Sequence, residues 1–434
     1  MRYLKGFFIV LFTVGVLAFS IVLYHGSEGV KALTGWESSL VEVMYYYLVF
    51  IFLRTAIHLF LAFASLFFSK RRAPLSEFPL VSVLVPCYNE DKVVREALAS
   101  VQRLTYPNYE IIVIDDGSVD ATLDELASLH SAESMNGRIR VVHQKNAGKA
   151  EALNRGMMEA QGDFVFCMDA DGVLSPDVLE RGMVHMKNPQ TVAVAGSVVV
   201  GNQINALTRF QALEYISGLN LFKEAQSFLG MVTVIPGPVG LFRKHIVLAN
   251  GGYRSDTLAE DCELTLRLLV NGYRTVYEPL MIARTEVPDE FTPLMGQRYR
   301  WSRGVLKAIK LNAEWFWKPW KNFRNFLILA YMIVESFVIP SLNFIFSFAS
   351  INYALVYGVK GLYGYFFGQL IILDVTLAIF CLALETHMNF WLVFYAIMNR
   401  FTYGMSLEIL RFFSIFDEIM GLPLYWGKLV RKGM

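Results

Sequence analysis

Phe164-Val165-Phe166-Cys167-Met168-Asp169-Ala170-Asp171 sets five apolar residues directly against two carboxylates. An apolar run with no polar alternation describes a strand buried on both faces, the habit of parallel sheets covered by helices. Two carboxylates at the rim of such a strand are costly to bury unless something cationic meets them. A divalent ion held by oxygen ligands and shared with substrate phosphates meets that need. Outward from this strand, short apolar runs recur at Val81–Val85, Ile111–Ile114, Ile139–Val142 and Val192–Val194. Helical patterns alternate with them at Lys92–Gln102, Ala147–Ala160 and Asp177–Met186. The alternation predicts an α/β domain over 71–290 with a mostly parallel sheet, whose ligands bind beyond the carboxyl ends of the strands.

The flanks have a different texture. The 434 residues are 55% hydrophobic and 18% charged, more apolar than a soluble domain and more charged than an all-membrane chain. Thirty-nine Lys and Arg against 38 Asp and Glu leave a net charge of +1, which argues against a dedicated nucleic-acid binder. Four scattered cysteines, Cys87, Cys167, Cys262 and Cys381, lack the spacing of a disulfide framework or structural zinc site. Gly6–Tyr24 carries no charge and is long enough to span a bilayer. A second apolar stretch, Val43–Phe68, follows it and favours a retained anchor over a cleaved signal. The basic cluster Ser69-Lys70-Arg71-Arg72 then reads as cytoplasmic, placing two transmembrane helices in 1–70 and the α/β domain in the cytosol.

Beyond the α/β domain, Trp301, Lys307, Lys310, Trp315, Trp317, Lys318, Trp320 and Lys321 predict interfacial helices over 291–325. Phe326–Ser350 and Tyr365–Leu384 read as spans. The last apolar region, Phe390–Leu424, is interrupted by Arg400, Glu408, Arg411, Asp417 and Glu418, and the tail cations Lys428, Arg431 and Lys432 favour a cytosolic end. Three or four segments therefore fill 326–434, making a multi-pass protein of the cell (inner) membrane. Arg54, Glu335 and Asp374, inside these spans, either line a polar path or pair with one another.

Short polar groups stand at the predicted strand ends. Pro86-Cys87-Tyr88-Asn89-Glu90 follows the first strand and Asp115-Asp116-Gly117-Ser118 the second. Each alone is ordinary turn chemistry. Asn146, Gly148 and Lys149 precede a helix, where they either hold phosphate or cap it. Pro236-Gly237-Pro238-Val239-Gly240 reads as a rigid turn. Glu260-Asp261 opens a helical pattern, and alone would merely complement the helix dipole. Gln297, Arg300 and Trp301, at i, i+3 and i+4, share one helix face.

In order, the series Y-N-E, D-D-G-S, N-x-G-K, D-x-D, E-D and Q-x-x-R-W resembles the processive family-2 glycosyltransferases of membranes, the synthases of cellulose, hyaluronan, chitin and poly-N-acetylglucosamine. The resemblance implies a Rossmann-like GT-A domain and an inverting hexosyltransferase taking a UDP-sugar donor. It implies that Tyr88, Glu90, Asp115 and Asp116 cradle the nucleoside and that Lys149 lies near the diphosphate. Asp169 and Asp171 are then the D-x-D pair, with Asp171 a ligand of Mg²⁺ or Mn²⁺. Asp261 is then the general base, beside Glu260. Gln297 and Arg300 face the diphosphate while Trp301 stacks beneath the acceptor sugar. Where the family has T-E-D, this chain has Ala259-Glu260-Asp261. The partners so implied are a nascent polysaccharide, the lipid bilayer through which it is exported, and room for a small accessory membrane subunit. Glu260-Asp261-Cys262-Glu263-Leu264 is closer to the poly-N-acetylglucosamine and cellulose forms, so UDP-GlcNAc is favoured over UDP-Glc. Gly237-Pro238-Val239-Gly240 is closer to the hyaluronan type. A non-processive transferase acting on a lipid is the alternative of a different kind.

Overall fold

The computed structural model describes residues 36–68, 74–130, 138–357, 362–384 and 391–423. The apolar stretch Gly6–Tyr24, the basic cluster at 69–72 and the tail cations lie outside these residues. Eight strands form one sheet: β1 (Val81–Cys87), β2 (Tyr109–Asp115), β3 (Ile139–His143), β4 (Phe164–Cys167), β5 (Val173–Leu174), β6 (Thr191–Val200), β7 (Gly240–Arg243) and β8 (Arg274–Thr285). Their order is β3-β2-β1-β4-β7-β6-β8-β5. β1, β2, β3 and β4 are mutually parallel, as are β6 and β8. β7 is antiparallel to both its neighbours, β4 and β6, and β5 to β8. The sheet is thus mixed, with two reversed strands in an otherwise parallel set.

Three strands escape the sequence pattern, and two of them, β5 and β7, are the reversed ones. β5 and β7 are short, and β7 opens on a glycine. β8 carries Pro279, a residue that removes a ladder donor. The sheet accommodates it by a register shift, with Gly196 opposite Glu278 but Ser197 opposite Ile282, so that 279–281 bulge out.

The described helices are α1 (Trp36–Phe68), α2 (Val94–Gln102), α3 (Thr122–His130), α4 (Lys149–Glu159), α5 (Val178–Met186), α6 (Ala206–Glu214), α7 (Leu221–Leu229), α8 (Lys244–Ala249), α9 (Glu260–Val270) and α10 (Phe291–Leu311), followed by α11 (Phe323–Ile333), α12 (Ile339–Tyr357), α13 (Leu362–Leu384), α14 (Leu392–Asn399) and α15 (Tyr403–Ile419). One turn of π-helix, Tyr215–Asn220, joins α6 to α7, and another, Val334–Val338, joins α11 to α12. Side chains of a strand alternate between faces. Val83 and Val85 therefore pack with Leu98 of α2 and Leu179 of α5, while Leu84 and Val165 pack with Leu153 of α4 and Leu264 of α9. Helices cover both faces, as the uninterrupted apolar strands require.

Among the described residues, two helices are long and apolar enough to cross a membrane, Ser39–Ser65 and Phe323–Asn352. Phe366–Leu382 is apolar but shorter. Of the two predicted roles for the embedded charges, the structure shows pairing. Arg54 grips Glu335 through two bonds, one of them Nε to Oε1 at 2.6 Å. Asp374 meets Arg400 at 2.6 Å, and Arg400 meets Glu408 at 3.0 Å. The charges that interrupt the last apolar region have a further use. Asp417 accepts from Tyr299 at 2.6 Å and Glu418 pairs with Arg303 at 3.0 Å, so α15 clamps α10. Trp317 and Trp320, just beyond α10, are exposed.

Candidate active site

The site lies where β1, β2 and β4 end, facing the first turns of α4 and α9. The turn after β1 is held by Asn89, a non-glycine residue in the left-handed region, which asparagine tolerates. Its N–H donates to Ser118 Oγ at 2.9 Å and its Oδ1 accepts from the Val119 N–H at 2.8 Å. The Glu90 N–H donates to Thr122 Oγ1 at 2.8 Å. Tyr88 and Glu90 are thereby fixed on a loop braced by the loop after β2.

Asp115 and Asp116 are both buried. Asp115 Oδ2 lies 2.6 Å from His143 Nδ1 at the end of β3, and Asp115 Oδ1 accepts from the Ser118 N–H. Asp116 accepts from Gln144 Nε2 at 2.7 Å, from the Ala147 N–H at 2.9 Å and from the Gly148 N–H at 2.8 Å. A carboxylate from the second strand end thus caps α4, placing negative charge where the helix dipole favours it. Asn146-x-Gly148-Lys149 makes no side-chain cap of its own, and Asp116 takes the Ala147 and Gly148 N–H groups instead.

Lys149, the first residue of α4, draws the remaining carboxylates together. Its ammonium bonds Asp169 and lies 3.7 Å from Glu260 Oε1. Burial opposes its charge, but Asp169 and Glu260 hold it firmly protonated. The Pro236–Gly240 turn closes over this pair. A side-chain carbon at Gly237 would stand 2.6 Å from Lys149 Nζ and 3.3 Å from Asp169 Oδ1, so a larger residue there would press on the Lys149–Asp169 pair. Asp171, 4% exposed, accepts from Thr285 Oγ1 of β8 at 3.0 Å.

Glu260 and Asp261 open α9, as the sequence indicated. Asp261 Oδ1 accepts from the Cys262 N–H at 2.7 Å. Burial and the neighbouring Glu260 push its carboxyl up to about 6, against the opposing effect of Lys149. Ala259, standing where the resembled family has threonine, fits because α10 comes very close. A carbon added at Gly304 would lie 2.5 Å from Ala259 Cβ.

Gln297, Arg300 and Trp301 lie on α10, as predicted. The residue between them that organises the face is Arg298, which the motif reading passed over. Its guanidinium bonds Gln297 Oε1 at 2.6 Å and Glu214 Oε2 at 2.7 Å, and lies 4.2 Å from the Trp301 ring centroid. Glu214 also accepts from Tyr403 and lies 3.7 Å from Arg411. Burial pushes the Glu214 carboxyl up, but Arg298 and Arg411 outweigh it and hold it low. Tyr215 completes the support, its ring centroid 6.4 Å from that of Trp301. Arg298, Glu214 and Tyr403 meet across separations of 84 to 189 residues, so no local spacing announces them.

The structure therefore gathers Lys149, Asp169, Glu260 and Asp261 at one point. Asp115 and Asp116 stand at its rim, and Trp301 and Gln297 stand on the helix docked behind Ala259. Among the described residues, no three His, Cys, Asp or Glu side chains converge as a metal cage.

The model of glycosyl transferase family 2 matches residues 82–248. The chain is 35% identical over 231 residues to the poly-beta-1,6-N-acetyl-D-glucosamine synthase of Staphylococcus aureus (strain COL), covering 53% of this chain and 55% of that one. It is 34% identical over 228 residues to the synthase of the same name from Staphylococcus epidermidis, covering 52% and 54%. The chain thus spans about half the length of the curated relatives it matches. A mannosyltransferase from Pyrobaculum calidifontis, solved in complex with GDP-Man and Mn2+, shares the fold with a TM-score of 0.58 at 18% identity, over 89% of this chain and 99% of that one. Residues 82–248 thus carry a glycosyl transferase family 2 domain.

Proposed function

We propose that the protein transfers N-acetylglucosamine from UDP-GlcNAc to the end of a growing β-linked polysaccharide, with inversion. The observation that carries this reading is the cluster at the strand ends, where Lys149 bonds Asp169 and approaches Glu260 beside the buried Asp261, whose carboxyl burial and Glu260 push up to about 6. A group with that pKa is ionised at neutral pH and still basic enough to take a proton in the transition state. Asp261 removes the proton of the acceptor hydroxyl as its oxygen attacks the anomeric carbon. The bond from that carbon to the phosphate oxygen breaks, and UDP leaves with the electron pair. One displacement converts an α-linked donor into a β-linkage.

The remaining residues bind and orient. Tyr88 and Glu90 meet the nucleoside over a rim set by Asp115 and Asp116. Lys149, with Gln297 and Arg300 from α10, faces the diphosphate, and Trp301 stacks beneath the acceptor sugar. Asp171 and Asp169 would hold Mg²⁺ or Mn²⁺. Two carboxylates on one loop suit an ion completed by water and substrate phosphates better than an all-protein cage, which matches the donor set present. When bound, the ion neutralises charge developing on the leaving diphosphate.

The choice of UDP-GlcNAc is supported by the names of the curated relatives. A β-glucan from UDP-Glc and a hyaluronan-type product are the competing outcomes. The two membrane-length helices support membrane association, and the basic cluster Ser69-Lys70-Arg71-Arg72 supports placing 71–290 on the cytosolic side, with 291–325 at the interface. The spans of 1–70 and 326–434 would then give the product its way out. The test is UDP release by purified protein from UDP-GlcNAc and from UDP-Glc, with Mg²⁺, with Mn²⁺ and after chelation. Release from UDP-GlcNAc that chelation abolishes is expected. Metal-independent release, or preference for UDP-Glc, contradicts the reading.

A further inference from the structure

Lys223 lies on α7 and is 7% exposed. Among the described residues its ammonium makes no ion pair and no hydrogen bond. The ring of Tyr277 on β8 lies under the ammonium, with the centroid 5.7 Å away. A buried ammonium without a counter-ion is expensive to keep charged. Burial accordingly pulls its pKa down to about 8, with Asp261 the charge that opposes the fall. A buried cation that packs on an aromatic ring, makes no ion pair and feels the charge of Asp261 is suited to take an oxygen of a ligand.

The surroundings indicate which one. Lys149 already serves Asp169 and Glu260, on the diphosphate side. The charge that Lys223 feels is Asp261, which marks the acceptor side. The opposite side of α7 meets the membrane helices. The Phe222 ring lies 4.8 Å from the Arg54 guanidinium and 4.6 Å from the His58 ring, and Glu224 accepts from Ser65 at 2.6 Å. The π-turn before α7 brings Tyr215 against Trp301. Such turns frequently mark functional sites. The segment 215–229 is therefore wedged between the acceptor platform and the embedded Arg54–Glu335 pair.

We propose that Lys223 is an acceptor-binding residue, its ammonium donating a hydrogen bond to a hydroxyl or amide oxygen of the terminal sugar held between Tyr277 and Asp261. The inference rests on the reading of Asp261 as the acceptor-side base.

The test uses full-length K223M and K223R with UDP-GlcNAc and an added N-acetylglucosamine oligosaccharide as acceptor. A lost hydrogen bond from a charged donor predicts that K223M raises the acceptor KM about tenfold or more. UDP affinity should move less than about twofold, well under the effect of one such bond. K223R, which keeps a cation, should restore most of the acceptor affinity. In the wild type the acceptor KM should also climb above about pH 8 as Lys223 loses its proton, and in K223R it should stay flat. The titratable groups facing Lys223 are Tyr277 from β8 and Asp261 from α9, whereas Arg54 and His58 of α1 face Phe222.

An unchanged acceptor KM in K223M, with a higher melting temperature, would show only a tolerated buried lysine and overturn the proposal. Weakened UDP binding in place of weakened acceptor binding would put the ammonium on the donor side and overturn it equally. Should K223M not fold, K223R and the wild-type pH profile still decide. Absence of transfer by the wild type from any UDP-sugar would fell the functional reading itself, and this inference with it.

Discussion

Replacing Asp261 by asparagine keeps the side chain's shape and its acceptance of the Cys262 N–H, while removing the group that takes the proton. Burial and Glu260 hold the native carboxyl at about 6, where an ordinary aspartate sits at 3.8. In the wild type, the ionised fraction is then about one-tenth at pH 5 and about nine-tenths at pH 7. Transfer should rise along an acid limb centred near pH 6. Loss of a positioned base predicts that Asp261→Asn lowers kcat about 10²- to 10⁴-fold.

The same shift has an opposite effect on stability. The native carboxyl binds its proton more tightly than the unfolded one. As pH rises from 3.8 through 6, the unfolded state ionises first and stability is lost over that window. Above it, ionised Asp261 disfavours the fold by up to about 3 kcal/mol. Asparagine carries no such penalty. The variant should therefore be inactive yet melt higher than wild type at pH 7.5, with the difference gone by pH 4. The assays are UDP release against pH, UDP binding by titration, and thermal unfolding at both pH values. Near-normal turnover at pH 7.5, or a lower melting temperature there, would refute the reasoning.

Two further substitutions probe how the face of α10 is held. Gly304→Ala places a carbon 2.5 Å from Ala259 Cβ and 2.8 Å from the Ala259 nitrogen, forcing α10 away from the segment that leads into Asp261. Overpacking of this kind costs about 1–3 kcal/mol. The melting temperature should fall, and transfer should fall further than the loss of folded protein explains. Arg298→Met leaves Glu214 without its closest cation in a buried site and should cost about 3–5 kcal/mol. The double variant Arg298→Met, Glu214→Leu should recover much of that stability while the acceptor KM stays raised, because Trp301 has still lost the guanidinium packed on it. An equally stable single variant would contradict the assignment.

The sequence makes the central strands legible because they are apolar without interruption, and the carboxylates legible because each follows such a run. β8 is not legible, since Pro279 contradicts a strand until the bulge opposite Gly196 and Ser197 is seen. The Q-x-x-R-W spacing places Gln297, Arg300 and Trp301 correctly on one helix, because helical periodicity is local. Arg298 escapes the same reading, because its importance comes from Glu214 and Tyr403, far away in the chain. The embedded charges show the same limit. A charge within an apolar run signals a partner or a path, and only the fold reveals that Arg54 meets Glu335 across 281 residues. Likewise, Asp116 as the cap of α4 depends on two strand ends meeting, which no spacing rule contains.

Polymer synthesis from UDP-GlcNAc is decided by the identity of the product. Purified protein is incubated with Mg²⁺ or Mn²⁺ and each UDP-sugar in turn, and any polymer is treated with linkage-specific hydrolases. The expected product is a polymer from UDP-GlcNAc that a hydrolase of β-linked N-acetylglucosamine degrades and a cellulase or hyaluronidase does not. A polymer made from UDP-Glc, or a single sugar added to a lipid with no chain growth, would contradict it.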